Sequence, residues 1–181
     1  MKLVVVADIF DQPAPDICVS ACVPHVSDVL RFTLGDLCQT PGRAGEDLHH
    51  DLVHRGGFDR AAAELGRQLP AGCVGIGYSA GGTALWRAAA AGLQLVHLFC
   101  LSSTRLRELA PISVPNHVFF GALDPGRPGC AWQAAVPGGC TVFADVDHLF
   151  YLRPDGAEIR HVGQIMADRL SGCPTGKVSP S

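Results

Sequence analysis

Cys73-Val74-Gly75-Ile76-Gly77-Tyr78-Ser79-Ala80-Gly81-Gly82-Thr83-Ala84-Leu85-Trp86 is the stretch that decides how this chain is read. A short apolar run meets a serine, and an Ala-rich segment follows. Cys73–Tyr78 is therefore expected as a buried strand, and Ala80–Ala91, closed by Gly92, as a helix. Ser79 falls on the junction inside a G-x-S-x-G pattern. A serine at such a place must occupy a strained turn that lifts its hydroxyl above the sheet edge. Glycines two before and two after it let strand and helix approach closely. Gly82 and Thr83 keep the next turn small. The first free N–H groups of the helix point at the same spot, where the helix dipole favours negative charge. The stretch reads as a nucleophile elbow. An ordinary glycine-rich turn is the plain alternative in a chain with 21 glycines.

A nucleophilic serine needs a base and an orienting acid, expected in the chain order serine, acid, histidine. Asp124 lies just past the apolar run Asn116–Gly121, and His148 just past Thr141–Ala144. If both runs are strands of a parallel sheet, all three loops leave on one edge and the three residues converge there. Asp145 and Asp147 are rivals for the acid, but so close to His148 in the chain they would have difficulty reaching its Nδ1. Asp124 is preferred. His97 and His117 fall within strands and read as structural. His25, His49, His50, His54 and His161 sit on loops or helices. No partner ligand shares a motif with the His49, His50 and His54 group, so it reads as a solvated helix face and no metal site is expected.

The wider chain agrees with a parallel sheet. With 181 residues it suits one domain, expected over 1–171, with 172–181 as a flexible Pro-, Gly- and Ser-containing tail. Apolar residues at 48% and charged residues at 17% exclude disorder and favour strands buried on both faces. A net charge of −3 leaves no basic surface for nucleic acid or anionic lipid. Leu3–Ala7 and Asp28–Leu34 read as strands, with Pro15–Val23 between them as helix. Thr40–Gly45 reads as a turn, and Glu46–His54 and Gly57–Leu69 as helices. Val96–Leu101, Asn116–Gly121 and Thr141–Ala144 complete six strands, with a short helix around Thr104–Leu109 and a final one over Ala157–Leu170. The class is α/β, in three α/β/α layers.

The opening apolar run stops at Asp8, too soon for a secretory h-region, and the uncharged stretch Gln68–Trp86 is broken by Pro70 and five glycines. A cytoplasmic protein with no membrane partner is expected. Eight cysteines without a C-x-x-C pair then read as structural thiols.

The Ser79 elbow, Gly121-x-x-Asp124, Asp147-His148-Leu149-Phe150 and the opening Asp8-Ile9-Phe10 together resemble the α/β-hydrolase superfamily, most closely its dienelactone hydrolase-like group. The resemblance spans about residues 3–170. It implies an α/β-hydrolase fold with a mostly parallel sheet, and an oxyanion hole made by the N–H of the residue after the first acid and that of the residue after the nucleophile. By position these are Ile9 and Ala80. It further implies that the Asp8 carboxylate approaches the nucleophile at rest, whereas Asp8 taken alone reads as a loop-fixing side chain. Three departures matter. Dienelactone hydrolases carry cysteine where this chain has Ser79, so their named substrate is not carried over. The chain opens at what looks like the family's third strand, so a sheet truncated at the N-terminus to about six strands is expected. Asp11 and Gln12 stand where glycine follows Ile-Phe in the family.

The expected function is a serine hydrolase acting through Ser79, Asp124 and His148 on a small-molecule acyl substrate, with no cofactor. Phe10, Gln12, Tyr78 and Phe150 are expected to line the substrate pocket. Caps in this superfamily are usually inserted after the strand that follows the elbow helix. Ser102–Pro115 has room there for two helical turns at most, so no lid is expected. Two rivals remain. A dinucleotide-binding fold would use Gly75-Ile76-Gly77-Tyr78-Ser79-Ala80 as G-x-G-x-x-A, but His97–Ser102 lacks the acid that would hold the ribose. A catalytically silent fold that only binds ligands is the other. The sequence carries no signal for or against self-association.

Overall fold

Residues of β1 (Lys2–Val6) alternate between two cores. Val4 and Val6 face one, and Leu3 and Val5 the other. The same alternation runs through β3 (Cys73–Tyr78), β4 (Leu95–Leu101) and β5 (Asn116–Gly121), whose residues are buried on both sides almost throughout. With β2 (Asp28–Phe32) and β6 (Cys140–Phe143) they form one six-stranded sheet in the order β2-β1-β3-β4-β5-β6. Every pairing is parallel. The computed structural model describes residues 1–23 and 25–171, so the tail expected over 172–181 lies outside the described residues.

One face of the sheet is covered by α1 (Leu34–Leu37), α2 (Gly45–His54), α3 (Gly57–Gln68), α4 (Ala80–Ala90) and α5 (Cys130–Ala134). The other carries α6 (Ala157–Ser171) and three 3₁₀ segments, Pro15–Ile17, Val19–Cys22 and His148–Leu152. The glycines of β3 have a packing role here. Gly75 and Gly77 occupy alternate positions to Val74, Ile76 and Tyr78, and a β-carbon on Gly75 would already touch Leu85 of α4 at 3.6 Å.

Several local expectations are corrected. Pro15–Val23 is not one helix but two 3₁₀ turns separated by an extended Cys18. The Tyr78 hydroxyl accepts the Val19 N–H, a donor that a continuous helix would have used internally. The second strand stops at Phe32 because Thr33 caps α1, its Oγ1 accepting the Asp36 N–H. Around Thr104–Leu109 only the single turn Leu106–Glu108 forms. The short helices α1 and α5 carry too little periodicity to have been anticipated.

Cys18, Cys38, Cys73 and Cys100 are buried in the two cores, and burial pushes the Cys100 thiol up to about 12. Burial likewise holds His97 down at about 4 and His117 below its ordinary value, so both imidazoles are neutral parts of the strand layer. Among the described residues no helix is long and apolar enough to cross a membrane.

Gly121 ends β5 where another backbone crosses it. A β-carbon there would lie 2.2 Å from the Val146 carbonyl oxygen and 2.5 Å from that of Asp147. Gly121→Ala should therefore lower unfolding free energy by about 1–3 kcal/mol in urea denaturation, the usual cost of overpacking. Gly66, exposed within α3 with nothing near its would-be β-carbon, is the control. Gly66→Ala should raise stability by about 0.5–1 kcal/mol. A neutral Gly121→Ala would show that the loop before His148 yields freely.

Candidate active site

The chain runs outward from β1 to β2 and then returns to the other side of β1 to form β3. This reversal opens a crevice beyond the carboxyl ends of β1 and β3, the usual place for a ligand in an open parallel sheet. Val6 pairs with Gly77, so residues three further on, Ile9 and Ala80, leave the same edge side by side.

Ser79 sits at φ 49° and ψ −121°, between β3 and α4, a conformation a non-glycine residue seldom adopts. Its neighbours explain how the turn is held. A β-carbon on Gly77 would fall 2.2 Å from the Gly82 Cα, and one on Gly81 2.3 Å from the Ala7 carbonyl oxygen. The Ser79 N–H donates to the Leu101 carbonyl at 2.9 Å. Close backbone contact on three sides thus over-determines the strained serine.

His148 opens the 3₁₀ segment after β6, and Asp124 follows β5. Their loops are tied together, Leu123 N–H donating to the Val146 carbonyl at 3.0 Å and Ala122 N–H to that of Phe143 at 2.8 Å. The His148 Nδ1 lies 2.8 Å from Asp124 Oδ2, and its Nε2 lies 3.0 Å from Ser79 Oγ. The Asp124 side chain is 1% exposed, and its other oxygen accepts the Gly126 N–H at 2.7 Å. A buried carboxylate at Nδ1 favours the tautomer with Nδ1–H, leaving the Nε2 lone pair for the serine proton. Asp147, one of the rival acids, caps the 3₁₀ segment instead. Its Oδ1 accepts the Leu149 N–H, and its carboxylate pairs with Arg153 at 3.3 Å. Asp145 is exposed in a left-handed turn.

The loop after β1 is organised by Asp8, which is 2% exposed. Its Oδ1 accepts the N–H groups of Phe10 at 2.7 Å and Gln12 at 2.9 Å. Asp8 N–H donates to the Gln12 carbonyl and Asp11 N–H to that of Asp8. Among the described residues Ile9 N–H has no protein acceptor, and neither has Ala80 N–H at the first turn of α4. Two free amides thus stand at the switch point beside Ser79, fit to receive negative charge.

The four residues expected to line a pocket fare differently. Phe10 is 60% exposed, its ring over Gly45, and Gln12 is half-buried with its side-chain oxygen on the Ala14 N–H. Tyr78 and Phe150 are corrected: both are fully buried in the core. Tyr78 alternates inward on β3 and bonds Cys18 and Val19, while Phe150 packs edge-on against Phe143. Sequence reasoning missed the contact that Tyr151 makes. Its hydroxyl donates to Asp8 Oδ2 at 2.8 Å, across 143 positions. No local pattern could have shown this. Among the described residues no group of three or more His, Cys, Asp or Glu is placed to hold a metal ion. The rings of His50 and His54 lie 4.9 Å apart, tilted by 48°, on exposed α2 positions.

No protein-family model and no curated protein matches the sequence. Solved structures do match. A YdeN-like hydrolase from Pectobacterium atrosepticum superposes with a TM-score of 0.60 at 14% identity, covering 92% of this chain and 91% of that one. Est1E from Butyrivibrio proteoclasticus, solved with ferulic acid bound, gives 0.62 at 12% identity over 94% and 88%. The RedJ thioesterase of the prodiginine pathway in Streptomyces coelicolor gives 0.57 at 14% over 91% and 85%. The chain has the α/β-hydrolase fold.

Both tyrosines of the chain, Tyr78 and Tyr151, are buried, and burial foremost pushes each hydroxyl above its ordinary value of 10.0. For Tyr151 the negative charge of Asp8 adds to this. In both the folded-state pKa lies above the unfolded one. Their contribution to stability is therefore complete below pH about 10 and is lost as pH rises beyond it, where the unfolded chain releases its phenolic protons. Alkaline titration should show tyrosinate absorbance only in a single step with loss of near-ultraviolet circular dichroism. Either tyrosine ionising near pH 10.0 in a still-folded protein would contradict this environment.

Proposed function

We propose that the protein is a serine hydrolase that cleaves a small carboxylic ester, thioester or lactone through an acyl-enzyme. The observation that carries this reading is the hydrogen-bond chain from Asp124 Oδ2 through His148 to Ser79 Oγ, with the serine on a positive-φ elbow. The hydrolases that share the fold agree with it by analogy.

His148 Nε2 accepts the Ser79 proton as Oγ attacks the carbonyl carbon, and the carbonyl electron pair moves onto oxygen. The Ile9 and Ala80 N–H groups donate to that oxyanion, each donor contributing about 2.7–4 kcal/mol. Asp124 holds the imidazole tautomer and stabilises the imidazolium. When the tetrahedral intermediate collapses, the bond to the alcohol or thiol breaks and His148 gives its proton to that leaving group. Water then attacks the acyl-enzyme with His148 again as base, releasing the acid and restoring Ser79. The reaction as written needs neither metal nor organic cofactor.

A fluorophosphonate probe should label wild-type protein at Ser79. Ser79→Ala should fold normally yet lose both labelling and ester turnover by several orders of magnitude. Asp124→Asn should lose about 10⁴-fold in turnover through the wrong tautomer. Asp147→Asn, which alters only an exposed cap, should stay close to wild type. Ser79→Ala keeping more than a tenth of the activity would end this mechanism.

The substrate class follows from what covers the site. Between β4 and β5, Ser102–Pro115 holds one 3₁₀ turn, Leu106–Glu108, whereas a cap needs several helices to bury its own apolar face. Phe10, in the loop after β1, and Leu149, next to His148, are 60% and 48% exposed and offer two apolar side chains to an acyl group. A long acyl chain would leave methylenes in water, each forgoing about 0.8 kcal/mol. For p-nitrophenyl esters kcat/KM should peak at about two to four carbons and level off beyond, as little further apolar area becomes buried. A steady rise to long chains, with activation at a lipid interface, would contradict an open site.

A further inference from the structure

We propose that Tyr151 is a positioning residue that sets the oxyanion-hole loop, acting through the Asp8 carboxylate. The inference rests on the serine hydrolase reading for its catalytic consequence, though not for its structural one.

An oxyanion donor accelerates a reaction only if its N–H is already aimed when charge develops. In the loop after β1 that aim depends on one side chain. Asp8 Oδ1 holds Phe10 N–H and Gln12 N–H, while the Asp8 and Asp11 amides are taken by backbone carbonyls. Four of the five amides from 8 to 12 are engaged, which leaves Ile9 N–H free. The carboxylate keeps Oδ1 turned to both amides only if its plane cannot rotate. Tyr151 supplies that restraint by donating its hydroxyl to Oδ2 at 2.8 Å. Both side chains are buried, at 2% exposure for Asp8 and 1% for Tyr151, so no water competes for the bond.

Tyr151 is itself tied to the rest of the site. It lies three residues after His148 in the same 3₁₀ segment, with the two rings 6.0 Å apart. Its ring also packs at 5.3 Å on Tyr78, the residue before Ser79. One hydroxyl therefore references the oxyanion loop to the element that carries the base and to the strand that carries the nucleophile. Misplacing a group of this kind by about an ångström costs on the order of 100-fold in rate.

Tyr151→Phe removes the hydroxyl and keeps the ring. Amide hydrogen exchange of the intact protein should show Phe10 and Gln12 losing protection while strand amides such as Val5 and Ile76 keep theirs. With a short ester, kcat should fall by about 10- to 100-fold with KM nearly unchanged, and the acid limb of the kcat/KM–pH profile should not move, because His148 and Asp124 are untouched. Asp8→Asn should retain far more activity than Asp8→Ala, since its amide oxygen still accepts from Phe10 and Gln12 and its NH₂ can donate to the Tyr151 oxygen. If Tyr151→Phe does not fold because the buried Asp8 carboxylate has lost its Oδ2 partner, Tyr151→Phe combined with Asp8→Asn carries no such charge and is read in the same way. Unchanged protection at Phe10 and Gln12 overturns the proposal, as does a kcat within twofold of wild type. A wild-type protein that neither turns over esters nor reacts with fluorophosphonate would refute the hydrolase reading instead, and the exchange measurement would still decide whether Tyr151 holds the loop.

Discussion

Backbone meeting backbone at the start of α4 is the constraint on which the rest of this structure depends. Gly77, Gly81 and Gly82 bring the elbow against Val6, Ala7 and Ser103 at distances that no side chain would allow. That contact holds Ser79 at φ 49° and joins the end of β3 to the end of β1. Strain at a single residue costs on the order of 1–3 kcal/mol and persists only where surrounding contacts over-determine it. At Gly77 and Gly81 the contacts are backbone atoms, the least compliant parts of the chain, while Gly82 meets the Ser103 side chain. The position of Ser79 is therefore a property of the sheet as much as of the residue itself.

The same device recurs at the second half of the site. Gly121 admits the Val146 and Asp147 carbonyls, so the histidine loop lies directly across the end of β5. From that seat the imidazole meets Asp124 on one side and Ser79 on the other. The two buried carboxylates of the site are both fully engaged, but differently. Asp124 divides its oxygens between an imidazole and one amide, while Asp8 holds two amides and a phenol. A buried carboxylate left without partners is costly, so each of these sets of partners is also a stability requirement. The candidate site and the fold draw on the same hydrogen bonds here.

Much of this was legible in the chain. Strand β3 and the start of α4 fall where the apolar run and the Ala-rich segment place them, because burial on both faces demands continuous apolar residues and Ser79 interrupts them. Asp124 and His148 could be picked because each closely follows a strand, and a parallel sheet delivers all such loops to one edge. Tyr78 and Phe150 were misjudged for one reason. Proximity to a site residue in sequence says nothing about which way a side chain points: Tyr78 alternates inward on β3 and Phe150 turns inward within its 3₁₀ segment. Pro15–Val23 failed similarly, since the donor that breaks its helix is engaged by Tyr78, a residue 59 positions away from Val19.

The sequence by itself determined the layer architecture, the elbow and the identity of the residues that meet there, because those follow from hydrophobic period, glycine placement and the direction of parallel strands. Only the tertiary structure decided which acids carry which partners. It put Asp147 on a 3₁₀ cap, Asp124 on His148, and Asp8 on a tyrosine 143 residues away. Hydrogen bonds act over about 3 Å whatever the chain separation, and no sequence pattern encodes a distance across the fold. The free amide of Ile9 belongs to that second class, since it is defined by its neighbours being engaged and not by its own residue type.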